Sequence, residues 1–200
     1  MSNESKETKD AKPTKREPFG WFDFARVYDR IAAEMPEGGR FVEIGVFQGK
    51  SLLYIAKKLL PINATAVGVD VFGTKTTWET NNVPDKIVSK AWVEDMLRAE
   101  KVKNFELIEA DSAEAATRFK DESIDAVFID GCHNYEWVTK DLENYYPKVK
   151  TGGIVAGHDY AEGSDVQRAL DAFCKKYGLS YEVYFNFEIG KIGTFFLYKK

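Results

Sequence analysis

Apolar residues in this chain fall into short runs that alternate with helically spaced stripes. Phe41–Gly45, Ala64–Val69, Phe105–Ile108 and Ile124–Ile129 have the length and near-continuous apolarity of buried strands, and Ile154–Ala156 forms a fifth after Gly152-Gly153. Phe24, Val27, Tyr28, Ile31 and Met35 predict a preliminary helix, broken by Pro36-Glu37-Gly38-Gly39. Leu52, Ile55, Ala56, Leu59 and Leu60 mark a second helix, stopped by Pro61. Further helices are expected over Pro84–Lys101, over Ser112–Phe119, along Val138, Leu142, Tyr145, Tyr146 and Val149, and along Val166, Ala169, Leu170, Phe173 and Tyr177. Strands alternating with helices predict parallel βαβ units with right-handed connections. The end departs from this rhythm. Tyr181–Phe187 and Thr194–Tyr198 are strand-like and lie too close for a crossover helix, which predicts an antiparallel hairpin closing a parallel sheet. The expectation is an α/β fold with a seven-stranded, mostly parallel sheet and helices on both faces.

Residues 1–18 are rich in Lys, Glu, Asp, Ser and Thr and offer almost nothing to bury, so they read as a disordered leader. Residues 19–200 read as a single domain. The 44% hydrophobic and 30% charged content of the 200 residues is that of a globular chain. A net charge of −4, with no Lys/Arg cluster, argues against nucleic acid as the partner. No apolar run approaches the ~20 residues needed to span a bilayer, and the charged N-terminus has no secretory h-region. Cys132 and Cys174 lack metal-finger or CxxC spacing, which fits a reducing, cytoplasmic setting.

Glu43-Ile44-Gly45-Val46-Phe47-Gln48-Gly49-Lys50-Ser51 stands where the first strand turns into a helix. Glycines there allow close backbone approach to a ligand, and the helix start presents N–H groups. The segment does not match GxGxxG, which weighs against a nicotinamide cofactor. Asp70, at the end of the second strand, is placed to accept ribose hydroxyls, against the blander reading of a solvated loop carboxylate. Asp111-Ser112, which closes the third strand, suits a helix cap, recognition of adenine, or both.

Four segments together carry a resemblance: Phe41–Ser51, Val67-Gly68-Val69-Asp70, Asp125-Ala126-Val127-Phe128-Ile129-Asp130-Gly131-Cys132-His133 and Gly152-Gly153-Ile154-Val155-Ala156-Gly157-His158-Asp159-Tyr160. They resemble successive motifs of class I S-adenosylmethionine-dependent methyltransferases, in the branch of sugar and macrolide O-methyltransferases and, more distantly, catechol O-methyltransferase. Phe47 departs from a glycine common in the wider superfamily, whereas IDGxH and GHDY are the more specific pair. The resemblance implies a Rossmann-like sheet and S-adenosylmethionine contacts at Glu43, Gly45, Gly49, Ser51, Asp70, Val71, Asp111, Ser112 and Asp130.

In the strand order this implies, the fourth and fifth strands are neighbours, so Asp130, His158 and Asp159 converge. Two carboxylates and an imidazole suit a divalent cation, and the resembling family holds one at these positions. His158 stands where a carboxylate is common there; Mg²⁺ prefers oxygen, whereas imidazole suits later metals, so Mg²⁺ and Mn²⁺ stay open. The blander alternative has Asp130 on the cofactor and His158 packed in a loop. His133 occupies the position of the family's general base, and an imidazole titrating near ~6.5 can take a hydroxyl proton. The implied reaction is O-methylation of a small hydroxylated acceptor: a sugar, a polyol or a phenol. Metal-independent methyl transfer, a nicotinamide oxidoreductase and a non-catalytic cofactor-binding module are the alternatives, and a homodimer is left open. Cys174 and the aromatics Tyr135, Trp137, Tyr145 and Tyr146 read as packing, and Phe72–Asn82 as a substrate lid.

Overall fold

The computed structural model describes residues 18, 20–73, 89–186 and 192–200. The elements run α1 (Ala25–Glu34), β1 (Arg40–Ile44), α2 (Lys50–Leu59), β2 (Thr65–Asp70), α3 (Lys90–Ala99), β3 (Phe105–Glu109), α4 (Ser112–Ala116), β4 (Ile124–Ile129), α5 (Tyr135–Tyr145), β5 (Val149–Tyr160), α6 (Asp165–Tyr177), β6 (Glu182–Phe185) and β7 (Gly193–Tyr198). Seven strands form one sheet in the order β3-β2-β1-β4-β5-β7-β6. β1 to β5 pair in parallel and β7 runs antiparallel to both β5 and β6, as the closely spaced terminal runs predicted.

Side chains alternate across a strand, so each strand feeds two apolar layers. Ala126 and Phe128 of β4 join Tyr28, Leu52, Ile55 and Met96 beneath α1, α2 and α3. Val127 and Ile129 join Ala115, Leu142, Leu170 and Phe173 beneath α4, α5 and α6. Helices start where side chains satisfy their first N–H groups: Asp111 Oδ1 accepts from Glu114 N, Asn134 Oδ1 from Trp137 N and Ser164 Oγ from Gln167 N.

Several boundaries differ from the sequence reading. β5 begins at Val149 and passes through Gly152-Gly153, because its pairing with β4 shifts between Ile124 and Ala126 and Gly152 takes φ +79°. α4 stops at Ala116, since Arg118 N and Phe119 N turn to carbonyls three residues back. α5 stops at Tyr145 and a 3₁₀ turn carries the chain over Pro147. α3 begins at Lys90, whereas the helix expected from Pro84 lies outside the described residues as far as 88. Except for Pro18, so does the expected disordered leader. Among the described residues, no helix is long and apolar enough to cross a membrane.

β1 lies between β2 and β4. The chain steps outward from β1 to β3 and then returns to β4, so the connections leave the carboxyl ends of β1 and β4 in opposite directions. That topological switch point is where open α/β sheets leave a crevice for ligands.

Candidate functional site

The crevice floor is a backbone joint. Asp130 N donates to Ile44 O at 2.8 Å, and Gly45 N donates to Val69 O at 2.9 Å. Gly45 has φ +89°, and a Cβ there would stand 2.0 Å from the Asp130 carbonyl oxygen, so no other residue fits. Asp70 organises the turn that follows. Its Oδ2 accepts from Val46 N and Phe47 N at 2.8 Å each, and its Oδ1 accepts from Phe72 N at 2.9 Å. A carboxylate offers about four acceptor positions, so one remains for a ligand hydroxyl. Val71 beside it is a large apolar residue left 53% exposed.

Glu43 and Ser51 lie under the turn. Glu43 is fully buried, accepting from Tyr28 Oη at 2.8 Å and Ser51 Oγ at 2.7 Å. Burial pushes its carboxyl up to about 8; the two hydrogen bonds work against this and the Asp70 charge adds to it. These two residues support the turn from below, where the sequence reading put them in contact with cofactor. Gly49 faces Val93 of α3. At the β3 edge, Asp111 is exposed and caps α4, while Ser112 Oγ donates to the buried Asp141 and Ser112 O accepts from Tyr145 Oη at 3.0 Å. The sequence reading missed Asp141, although its spacing from Val138 and Tyr145 sets it on the buried stripe of α5. Burial raises its carboxyl to about 6, opposed by the Ser112 hydrogen bond and aided by the Asp111 charge.

The ends of β4 and β5 bring four of the expected residues together. His133 Nε2 lies 2.9 Å from Asp159 Oδ2 and 3.8 Å from Asp130 Oδ1. His158 Nδ1 lies 3.3 Å from Asp159 Oδ2 and 3.8 Å from Asp130 Oδ1. Asp159 turns inward with φ +58°, a conformation Asp tolerates better than most side chains. Among the described residues, Asp130, His133 and Asp159 present ligand atoms all within 4.8 Å of one another, a spacing fit for a metal ion. The expected trio was Asp130, His158 and Asp159. His133 thus shares the acid pair that His158 was expected to complete, and His158 reaches the same pair from the other side.

His158 has a further neighbour that the sequence reading missed. Its Nε2 lies 3.0 Å from Asp23 Oδ1, from the segment just before α1. Nothing local in Trp21-Phe22-Asp23-Phe24 marks that carboxylate, because the fold alone brings it to β5. Cys174 is buried as expected, and Cys132 is exposed. Tyr145 is buried, but Tyr135 and Trp137 are exposed where packing was expected, since they sit on the outer face of the first turn of α5. Phe72 is buried, and the rest of the expected lid from residue 74 onward lies outside the described residues.

The acid pair is electrostatically unequal. Burial raises the Asp130 carboxyl well above the carboxylate range, and the charges of Asp159, Glu43 and Asp23 push the same way. Burial also acts to raise Asp159, but the close approach of the His133 and His158 imidazoles outweighs it and holds that carboxyl below its ordinary range. Burial and its acidic neighbours thus leave Asp130 short of positive charge, a demand that a divalent cation would meet.

A methyltransferase-domain family model matches residues 42–160. No curated protein sequence matches the chain. Among solved structures, SMU.1697c of Streptococcus mutans, determined in complex with SAH, is 12% identical with a TM-score of 0.64, over 91% of this chain and 100% of that one. An rRNA methylase of Streptococcus thermophilus is 13% identical with a TM-score of 0.62, over 90% and 97%. The O-methyltransferase NovP is 17% identical with a TM-score of 0.62, over 88% and 78%. At these identities the likeness is one of fold.

Proposed function

The chain belongs to the methyltransferase-domain family, and on that premise we propose that it transfers the methyl group of S-adenosylmethionine to a hydroxyl of a small molecule, with a divalent cation at Asp130 and Asp159. The observation that carries this reading is the meeting of Asp130, His133 and Asp159 at the mouth of the β1–β4 crevice. Bound S-adenosylmethionine would supply a methyl group already activated by its sulfonium charge. The Gly45–Gly49 turn, Asp70, Val71, Asp111 and Ser112 would hold it, with Glu43 and Ser51 bracing the turn from below. The spare acceptor position of Asp70 and the exposed Val71 suit a ribose and a flat base. A divalent cation would be held by Asp130, Asp159 and the His158 imidazole, leaving His133 free for proton transfer, and would lower the acceptor hydroxyl's pKa; an imidazole ligand favours Mn²⁺ or a later metal over Mg²⁺.

His133 takes the hydroxyl proton, and Asp159, 2.9 Å away, stabilises the imidazolium that results. Alignment of oxygen, carbon and sulfur by the crevice walls supplies much of the remaining acceleration. The net charge of −4 supports a small acceptor over ribosomal RNA.

The same 2.9 Å contact favours a second reading. A His–Asp dyad acts as a base without any cation, which would make the transfer metal-independent.

The test is transfer from methyl-labelled S-adenosylmethionine to phenols, sugars and polyols, after chelation and again with Mn²⁺ restored. Label entering a hydroxyl, lost on chelation and regained with Mn²⁺, is the expected result. A full rate after chelation overturns the cation. Label entering RNA and no small hydroxylated acceptor overturns the acceptor class.

A further inference from the structure

We propose that Asp23 is a positioning residue that fixes the orientation and tautomer of His158, so that Nδ1 faces the Asp130–Asp159 pair; this rests on the cation reading above. Asp23 Oδ1 is buried and has no aligned hydrogen-bond donor among the described residues. The ring nitrogen that approaches it is His158 Nε2, at 3.0 Å but off hydrogen-bond alignment. A buried carboxylate oxygen in that position is satisfied when Nε2 carries a proton and turns toward it.

The consequence lies on the other side of the ring. With the proton at Nε2, Nδ1 presents a lone pair, and it looks at Asp159 Oδ2 at 3.3 Å and Asp130 Oδ1 at 3.8 Å. With Asp130 ionised, as a bound cation requires, three acceptors would then face one point that a cation could fill. A carboxylate behind a ligating histidine sets which nitrogen is free and how the ring is turned.

The surroundings hold the carboxylate where this needs it. Phe24, the next residue, stacks on Phe128 at 4.8 Å between centroids and packs against the His158 ring at 4.7 Å. Asn186 Nδ2 donates to the Asp23 carbonyl at 3.4 Å, tying the segment to the residue that follows β6. Asp23 is thus fixed from both sides. Without it the carboxylate nearest the ring is Asp159, beside Nδ1, and the Nδ1–H tautomer would show its proton to the acid pair.

The chain has only two histidines, so ring-nitrogen NMR resolves His158 once His133→Gln has assigned the other. The expected result in the cation-free protein is a neutral His158 tautomer with its proton on Nε2. Asp23→Ala should give a tautomer mixture and weaken Mn²⁺ binding by calorimetry about 10- to 100-fold, with S-adenosylhomocysteine affinity unchanged. Asp23→Leu keeps the volume without the acceptor and stands in if Asp23→Ala fails to fold. Asp23→Asn, whose amide oxygen still accepts, should restore the tautomer. In turnover, kcat should fall with little change in the acceptor KM. The Nδ1–H tautomer of His158 in the unsubstituted protein, or the same tautomer in Asp23→Ala and Asp23→Leu, overturns the proposal. Failure of the unsubstituted protein to bind Mn²⁺ would instead sink the cation reading, while the tautomer comparison still decides the role of Asp23.

Discussion

Nε2 of His133 lies 2.9 Å from Oδ2 of Asp159, joining the loop after β4 to the end of β5. This contact gives the imidazole a fixed direction and a partner for its proton. His133→Ala should lower kcat by about 10²- to 10⁴-fold, the usual worth of a positioned general base. The affinity for S-adenosylhomocysteine, measured by calorimetry, should stay close to that of the unsubstituted protein. Undiminished turnover would remove His133 from proton transfer.

Asp130 and Asp159 carry the burden of holding a cation. Asp159→Ala removes one of three ligand atoms and the carboxylate that both imidazoles face. Mn²⁺ counted by electron paramagnetic resonance should then fall from one tightly bound ion to none at micromolar concentration. One ion retained with equal affinity would place the cation elsewhere.

Two glycines at positive φ separate steric from conformational cost. A Cβ on Gly45 would meet the Asp130 carbonyl at 2.0 Å, while one on Gly152 has nothing within 4 Å. Gly152→Ala carries only the left-handed penalty of about 1–2 kcal/mol. Gly45→Ala must also push β1 from β4, and should cost more than about 3 kcal/mol and abolish cofactor binding. Urea unfolding of the two variants side by side checks this; equal losses would mean the joint is slack.

Asp141 adds a pH dependence to stability. Its carboxyl moves from 3.8 to about 6 on folding, with burial the largest cause. Between those values the folded state keeps a proton that the unfolded chain has released. The contribution is therefore fully present below about pH 3.8 and lost as pH rises through about 6. Asp141→Asn cannot titrate. Its stability relative to the unsubstituted protein should rise by on the order of 2–3 kcal/mol from pH 4 to 7 and level off above. A difference that stays flat over that range, by denaturant unfolding, would refute the shift.

The sheet was legible because its parallel strands are buried on both faces and so read as unbroken apolar runs, as in Ile124–Ile129. Asp130, His133, His158 and Asp159 were legible because polar residues directly after such runs must emerge at the carboxyl edge. Which imidazole shares the metal-sized gap was not, since side-chain direction in a loop depends on turns such as the one at Asp159. Asp23 was illegible for a stronger reason. It reaches His158 through the packing of Phe24 on Phe128, a tertiary contact with no local trace. The extension of β5 through Gly152-Gly153 was misread because glycines that signal a break also allow a shift in pairing.

The central claim is that the crevice between β1 and β4 holds S-adenosylmethionine beside the acid pair. Calorimetric titration with S-adenosylhomocysteine, run against NADH as a competitor for the same kind of fold, tests it directly. One-to-one binding of S-adenosylhomocysteine, with no heat from NADH, is the predicted result. Binding of NADH, with S-adenosylhomocysteine inert, would contradict the account.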